Sequence, residues 1–463
     1  MEILLVTLHL VVFAAAELTF IKDTYQNPNS KEPFRHMIKD KATGLIYVAG
    51  VNRIIQLNEN FTVLQSISTG PRLDDINCFP HELNLCKTKK MTDSYSKALM
   101  IDDRGKRLIA CSSLFQGSCK KYHLSDITKF DNDSSKNKYV VANNATASTV
   151  AFIAPGPAED GKLAQPNVMY VGTTYTTSGY KFIRDDIPAF CTRNINTLDI
   201  AYKGDFVKSS KFVEGTHRHT FLVNYIYGFS SDSFSYMATV QRKSTSSEKY
   251  ISKLIRVCQN DERLYSYTEV ELVCKHNGAK YNLLQAARIA KPGKLQSTHS
   301  TEALDDTAVC IYQLETIKSK FIENVKNCFN GTARIGPDHI VDRTQCQKAE
   351  GFIEQITLDY CRELDFNYPI DGEHPIIASA ALTLKTKVSA ITVAVTHDYT
   401  IAFIGTQNGH ILKVAIESQE LAHMYEDLVI ENGARIHEDM VFDMAEKYLF
   451  TITDKKVKYL RSV

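Results

Sequence analysis

Eleven cysteines, a histidine pair and four Asp-Asp doublets are the residues of this chain whose types and spacing bear on chemistry. The cysteines make the sharpest local pattern in Arg107 to Lys121, RLIACSSLFQGSCKK. Arg107 to Ser112 is predicted to be a strand ending at Cys111. Gly117 supplies the positive φ of a tight reversal, so Cys119 comes back opposite Cys111. In an oxidising compartment that pair is a staple of about 2–4 kcal/mol. His217 and His219 flank Arg218 in GTHRHT, but a metal site needs a third ligand that the sequence does not suggest. They read as a polar loop. Paired carboxylates can do acid–base work. The doublets Asp74-Asp75, Asp102-Asp103, Asp185-Asp186 and Asp305-Asp306 sit in turn-like contexts and read as solvated loops. G-x-S-x-G, G-x-G-x-x-G, P-loop and C-x-x-C motifs are all absent. The sequence gives no basis for catalysis, a metal or a cofactor.

The elements that position these residues are strands. The chain has 463 residues, net charge +1 and no tryptophan. Near-neutral charge argues against a nucleic-acid or bilayer surface built on bulk charge. The missing tryptophan disfavours the repeat signatures of WD40 and sialidase-like propellers. Met1 to Ala16, MEILLVTLHLVVFAAA, reads as a signal peptide. Ala14-Ala15-Ala16 supplies small residues for cleavage, although Glu2 stands where a basic residue is usual. No later stretch reaches the ~18 apolar residues of a membrane span, so the chain as given is expected to be secreted. Eleven cysteines suit that route.

Runs of alternating polarity recur at His36–Asn58, Ala98–Leu124, Ser148–Ile195, Thr220–Gln259, Tyr281–Leu314, Lys387–Ile416 and Met440–Val463. Period two marks strands with one packed face. Residues 17–463 divided over seven such units give about 64 each, more than a bare blade of ~40–50, so insertions take up the excess.

Several of these stretches resemble plexins. Arg107–Cys119 is similar to the plexin segment RLVACGSLFQGVC. MTDSYSKALMIDD (Met91 to Asp103), STGPRLDDINCFP (Ser68 to Pro80) and FRHMIKDKATGLIYVAGVNRIIQL (Phe34 to Leu57) resemble plexin stretches in the first two blades. VCIYQL (Val309 to Leu314) and FIENVKNCFNGT (Phe321 to Thr332) look most like arthropod A-type plexins. The resemblance implies an all-β fold: a seven-bladed β-propeller, or sema domain, over residues 17–463. A strand at Glu17–Ile21 would close the ring. A partly helical extrusion over residues 315–372 would be inserted in blade five, its helix marked by Phe321, Ile322 and Val325.

The same resemblance implies five bridges: Cys78–Cys86 and Cys111–Cys119 within blades one and two, and Cys258–Cys361, Cys274–Cys310 and Cys328–Cys346 around blade five. Cys191 is left over and reads as a buried free thiol. Asn60, Asn132, Asn144 and Asn330 are N-x-S/T acceptors for glycans. One departure stands out. Between Ala287 and Val309 plexins carry an alternating strand, whereas KPGKLQSTHSTEALDDT is polar. A central strand of blade five is expected to be missing, as from an incomplete gene model.

Function follows from the resemblance too: a receptor domain binding a semaphorin ectodomain through the edges of blades three and four, about Tyr175 to Arg242. A dimeric ligand would bring two receptors together at the cell surface and guide axons. Neither nucleic acid nor a small-molecule substrate is implied. A plexin would continue into stalk modules, a membrane helix and a cytoplasmic region, so the chain as given looks like a receptor fragment. The rival readings are a semaphorin-like ligand, a soluble decoy and a secreted propeller hydrolase. SLFQGSC and FIENVKNCFNGT argue against the ligand. Scatter-factor receptors share the propeller, but their Arg-rich furin site is not found here.

Overall fold

The computed structural model describes residues 21–131, 139–157, 165–177, 179, 184–203, 208–290, 293–301, 306–349, 351, 353–361, 367–395, 400–443 and 445–461. Strands dominate, because alternating runs rich in Val, Ile, Phe and Tyr fit a pleated surface with buried faces. The first sheet pairs Phe34–Lys39, Ile46–Gly50, Arg53–Leu57 and Val63–Ser68 in sequence order. The second does the same with Ser96–Asp102, Arg107–Ser112, Cys119–His123 and Asp126–Phe130. The third uses Thr149–Pro155, Asn167–Thr173, Phe190–Asn194 and the short Ser210–Lys211.

An eleven-stranded sheet follows. Its first four strands are Asn224–Ser231, Phe234–Arg242, Tyr250–Cys258 and Thr268–His276. Leu283–Ala290, Lys294–Ser300 and Thr307–Gln313 make a second run. The long strand Ile370–Leu384 joins the two runs by changing partner. It pairs in parallel with Thr268–His276 as far as Ser379, then antiparallel with Thr307–Gln313 from Ala380. Cys274 and Cys310 are bonded at that changeover, opposite Ala378 and Ala380.

The penultimate sheet, Val388–Val395, Thr400–Thr406, His410–Ile416 and Ala422–Val429, is again sequential. The closing sheet takes Val441–Phe442, Tyr448–Ile452 and Lys456–Arg461 from the C-terminal end and Ile21–Gln26 from the N-terminal end. The closing strand is thus Ile21–Gln26, paired with Lys456–Arg461. Of the expected Glu17–Ile21 only Ile21 is described, and Met1 to Ala16 lies outside the described residues.

Packing turns these sheets into a propeller-like ring. Tyr47 and Ile54 of the first sheet meet Leu108 and Tyr122 of the second. Met100 and Ile109 of the second meet Met169 and Cys191 of the third. Tyr170 and Phe190 meet Tyr225 and Met237 of the large sheet. Ile311 and Leu384 meet Ile391 and Val414, and Phe403 meets Leu449 and Leu460. Phe450 and Ile452 of the closing sheet return to Ile46 and Ile55 of the first. Ring closure packs the faces of each sheet against its neighbours and leaves the outermost strands at the rim.

The expected gap is filled. Lys294–Ser300 pairs residue for residue with Thr307–Gln313 on one side, and with Leu283–Ala290 on the other. The absence of a blade strand is therefore corrected. Polar side chains hid it, because Gln296, Ser297, Thr298 and His299 are all fully buried. Their hydroxyls are satisfied inside the sheet: Ser297 Oγ lies 2.9 Å from His299 Nε2 and 3.2 Å from the Cys310 carbonyl oxygen. A strand whose hydroxyls find such partners needs no alternation in its sequence.

The excursion from the large sheet contains a helix, Leu314–Phe329, that buries Phe321, Ile322 and Val325. Bonds Cys258–Cys361 and Cys328–Cys346 tie this excursion down. Cys78–Cys86 closes a two-stranded hairpin, Arg72–Asp74 with Lys90–Thr92, that projects between the first and second sheets rather than within either.

Candidate protein-binding surface

The staple at Cys111 and Cys119 holds opposite members of neighbouring strands, Cα atoms 3.9 Å apart. Phe115, Gln116 and Gly117 all take positive φ, at 52°, 62° and 85°. Gly117 is required twice over, since a Cβ there would lie 1.9 Å from the Val141 carbonyl oxygen. This turn is a hub. Phe115 N–H donates to Asp74 Oδ2 (2.7 Å), and Gln116 Nε2 donates to the Asp75 and Cys78 carbonyls (3.3 and 3.2 Å). Burial raises the Asp74 carboxyl above its usual range. Asn143 Nδ2 then donates to Gln116 Oε1 (2.9 Å), and Thr176 Oγ1 donates to Asn143 Oδ1 (2.6 Å). Gln116, Asn143 and Thr176 are buried, so a closed polar relay runs from the staple to the residue after Tyr175.

Tyr175 begins the segment expected to meet a partner. Its hydroxyl donates to Asp185 Oδ1 (2.9 Å), and its ring stands edge-on to His219 at 5.4 Å. Burial, then the Asp185 carboxylate, raises its pKa. Arg218 Nη1 lies 3.4 Å from Asp185 Oδ1 and donates to the Asp185 carbonyl (3.2 Å); Arg218 Nε donates to the Val213 carbonyl (2.8 Å). Tyr175, Asp185, Arg218 and His219 thus draw two connections of the third sheet into one cluster, partly buried at the first three and exposed at His219. A tyrosine and an arginine held by one carboxylate are suited to anchor a protein contact.

The other candidates fall elsewhere. His219 packs on Tyr175, while the His217 carbonyl accepts from Thr220 and Phe221 N–H. The group able to hold a metal among the described residues is Asp75, Cys78 and Cys86, whose two sulfurs are already bonded to each other. The doublets are not all solvated loops: Asp74 and Asp102 are buried, Asp102 as the last residue of the strand Ser96–Asp102, while Asp306 accepts from Lys385 (2.7 Å). Cys191 is buried and outside any disulfide, and burial raises its thiol pKa. Asn60 and Asn330 are exposed; Asn144 is half-buried, its Oδ1 accepting from Ala147 N–H (2.7 Å). Asn132 lies outside the described residues.

Sequence reasoning missed a buried charge network behind this surface. Lys253 Nζ donates to Glu269 Oε2 (3.0 Å) and Asp371 Oδ1 (2.7 Å). Gln241 Nε2 donates to Glu269 Oε2 (2.9 Å), and Tyr267 Oη to Glu269 Oε1 (2.7 Å). Burial alone would raise Glu269, but Lys253 and His339 outweigh it and hold it well below the carboxylate range. Burial would lower Lys253, but Asp371 and Glu269 outweigh it and raise it. His339, 3.5 Å from Glu269 Oε1, stacks on Phe221 with centroids 4.1 Å apart. The network therefore couples the excursion to the loop carrying Arg218. Opposite charges inside the apolar runs ISKLIRVC and TEVELVC were the signal available.

The Sema domain family matches residues 295–443. Human plexin-A2 is 28% identical over 482 residues, covering 94% of this chain and 24% of the relative. The chain thus spans about a quarter of the length of the curated relatives it matches. Among solved structures, the full extracellular region of plexin A4 superposes with a TM-score of 0.83 at 24% identity, over 95% of this chain and 40% of that one. A chain from the Drosophila plexin A complex with semaphorin 1b gives 0.61 at 14% identity, over 95% and 87%. At such identities the structures show a shared fold. Residues 295–443 thus match the Sema domain family, and the chain resembles the A-type plexins in sequence over more than nine-tenths of its length.

Proposed function

We propose that this chain is the semaphorin-binding domain of a plexin-type cell-surface receptor. The observation that carries the reading is the likeness to plexins in sequence and fold along one nearly full-length stretch. In this reading the large sheet counts as two blades, making seven. Tyr236 and Leu254 of its first run pack on Leu284 and Leu295 of its second, as neighbouring sheets do elsewhere in the ring. Residues 1–16 are a signal peptide, 17–463 the sema domain, and 315–372 its extrusion. Glycans attach at Asn60, Asn144, Asn330 and Asn132, on the extracellular face of the plasma membrane. The domain binds and does not catalyse.

Semaphorin docks on the cluster around Tyr175 and Arg218, and a dimeric ligand pairs two receptors. Support comes from the anchor chemistry of that cluster and from a fold neighbour whose structure is a plexin–semaphorin complex. Surface plasmon resonance of the secreted chain against a panel of semaphorin ectodomains tests this. Saturable binding to one class is expected, and Arg218→Glu and Tyr175→Ala each weaken it about 30-fold, as anchors worth about 2 kcal/mol do. A monodisperse, oxidised chain that binds no member of the panel overturns the receptor reading. Unchanged affinity in both variants overturns the assigned surface.

A further inference from the structure

The hairpin between the first and second sheets exposes large apolar side chains. Leu73 and Met91 face each other across it and are 51% and 61% exposed; Leu85 at its tip is 79% exposed. Arg72, Lys87 and Lys90 surround them, also exposed. The returning arm, residues 85–91 (LCKTKKM), holds three lysines and no acid, whereas the rest of the hairpin carries Asp74, Asp75 and the exposed Glu82.

The outer strand of the penultimate sheet has the opposite composition on a similar apolar base. Leu421, Met424, Tyr425 and Val429 are about half exposed. Residues 417–431, ESQELAHMYEDLVIE, hold five acids and no Lys or Arg. Glu417, Glu420 and Asp427 are exposed. Within its sheet this strand pairs with His410–Ile416 and ends the strand order. An apolar centre with a charged rim is the anatomy of a protein interface, and this chain carries both complementary halves.

We propose that the lysine-bearing arm of the hairpin of one copy of this chain docks on the acidic outer strand of a second copy, apolar on apolar and lysine against carboxylate. A sulfated polysaccharide would use the lysines and leave the apolar residues and the acidic strand idle. An anionic bilayer would attract the hairpin and repel the strand. A second copy uses both. The two surfaces lie on different sheets, so the contact is heterologous, head to tail. The four glycan acceptors lie outside both segments. The contact uses none of the side chains of the Tyr175–Arg218 cluster and needs no ligand.

Sedimentation velocity on the secreted chain reads this directly. Between ~1 and ~100 µM, association increases with concentration. It weakens from about 50 to about 300 mM salt as screening grows. Lys87→Glu with Lys90→Glu raises the dissociation constant at least about tenfold, and so does Glu420→Lys with Asp427→Lys. An equimolar mixture of the two double variants associates again, because each offers the partner the face it lacks. All four positions are exposed or partly exposed rim residues, and unchanged thermal unfolding shows that the variants fold. Chains that stay monomeric throughout overturn the proposal, as does a mixture that fails to recover. Heparin retention that depends on Lys87 and Lys90, in a chain that remains monomeric, assigns the hairpin to polyanions and also overturns it.

Discussion

Two buried polar regions of the large sheet solve the same problem differently. Around Glu269 the polar groups are charged and mutually matched: a lysine, a tyrosine and a glutamine converge on one carboxylate. Along Lys294–Ser300 they are neutral and only partly matched. Gln296 has neither side-chain atom bonded, and His299 Nδ1 is also without a partner among the described residues. Burial lowers His299 to about 3. Desolvation is costly in both places, but only in the first is it offset by attraction. The first region should be fragile to loss of a partner; the second should tolerate, or gain from, loss of polarity.

The largest effect tests the first half of that contrast. Lys253→Met removes the cation shared by Glu269 and Asp371 and leaves only His339 beside the first and the partly exposed Arg343 beside the second, and chemical denaturation should show a loss of about 3–5 kcal/mol. A loss below about 1 kcal/mol would mean that the carboxylates are hydrated rather than paired.

Acidity separates the regions next. His299 has a folded pKa below its unfolded value of 6.5, so the unfolded chain binds the proton first. Stability from this group falls as pH drops below 6.5, by about 1.4 kcal/mol per unit, until about pH 3. Glu269 is depressed from 4.5, so its contribution is held above that value and lost as pH falls below it. Lys253 is raised from 10.5, so its contribution is full below that value and lost at higher pH. Between pH 6.5 and 5 neither the Glu269 carboxyl nor the Lys253 ammonium changes charge, whereas His299 contributes its slope. His299→Leu should flatten the stability profile there by about 2 kcal/mol relative to the parent chain. An unchanged slope would place the titrating group elsewhere.

The smallest effect concerns the orphans. Gln296→Leu removes two buried, unbonded polar atoms and should stabilise the chain by about 1 kcal/mol in urea titrations. Destabilisation would show that an internal water bridges the carboxamide.

The same contrast explains what the sequence disclosed. Alternating runs such as KVSAITVAVTHDYTIAF give their strands away, because one face is apolar and the other is not. Gly117 announced its turn, since no other residue fits beside Val141. QSTHS hid a strand, because hydroxyls that bond inside a sheet look in sequence like a loop. Lys253 and Glu269 were overlooked, because pairing across strands is a property of register and lies outside any local window. Tyr175 and Arg218 were enclosed in the expected segment but could not be singled out. Asp185, the residue that unites them, reads in sequence as part of a solvated doublet.

The strand that changes partner also sets a timetable. Thr268–His276 emerges from the ribosome long before Ile370–Leu384, and the nearby bond Cys258–Cys361 spans a sequence separation of 103. At about 5–20 residues per second, that interval is ~5–20 s of synthesis. Throughout it, one completed sheet edge has its ladder groups unpaired and is open to wrong pairing. The ring cannot be assembled strictly in order of synthesis. Its middle waits for a late strand, as its first strand waits for the last.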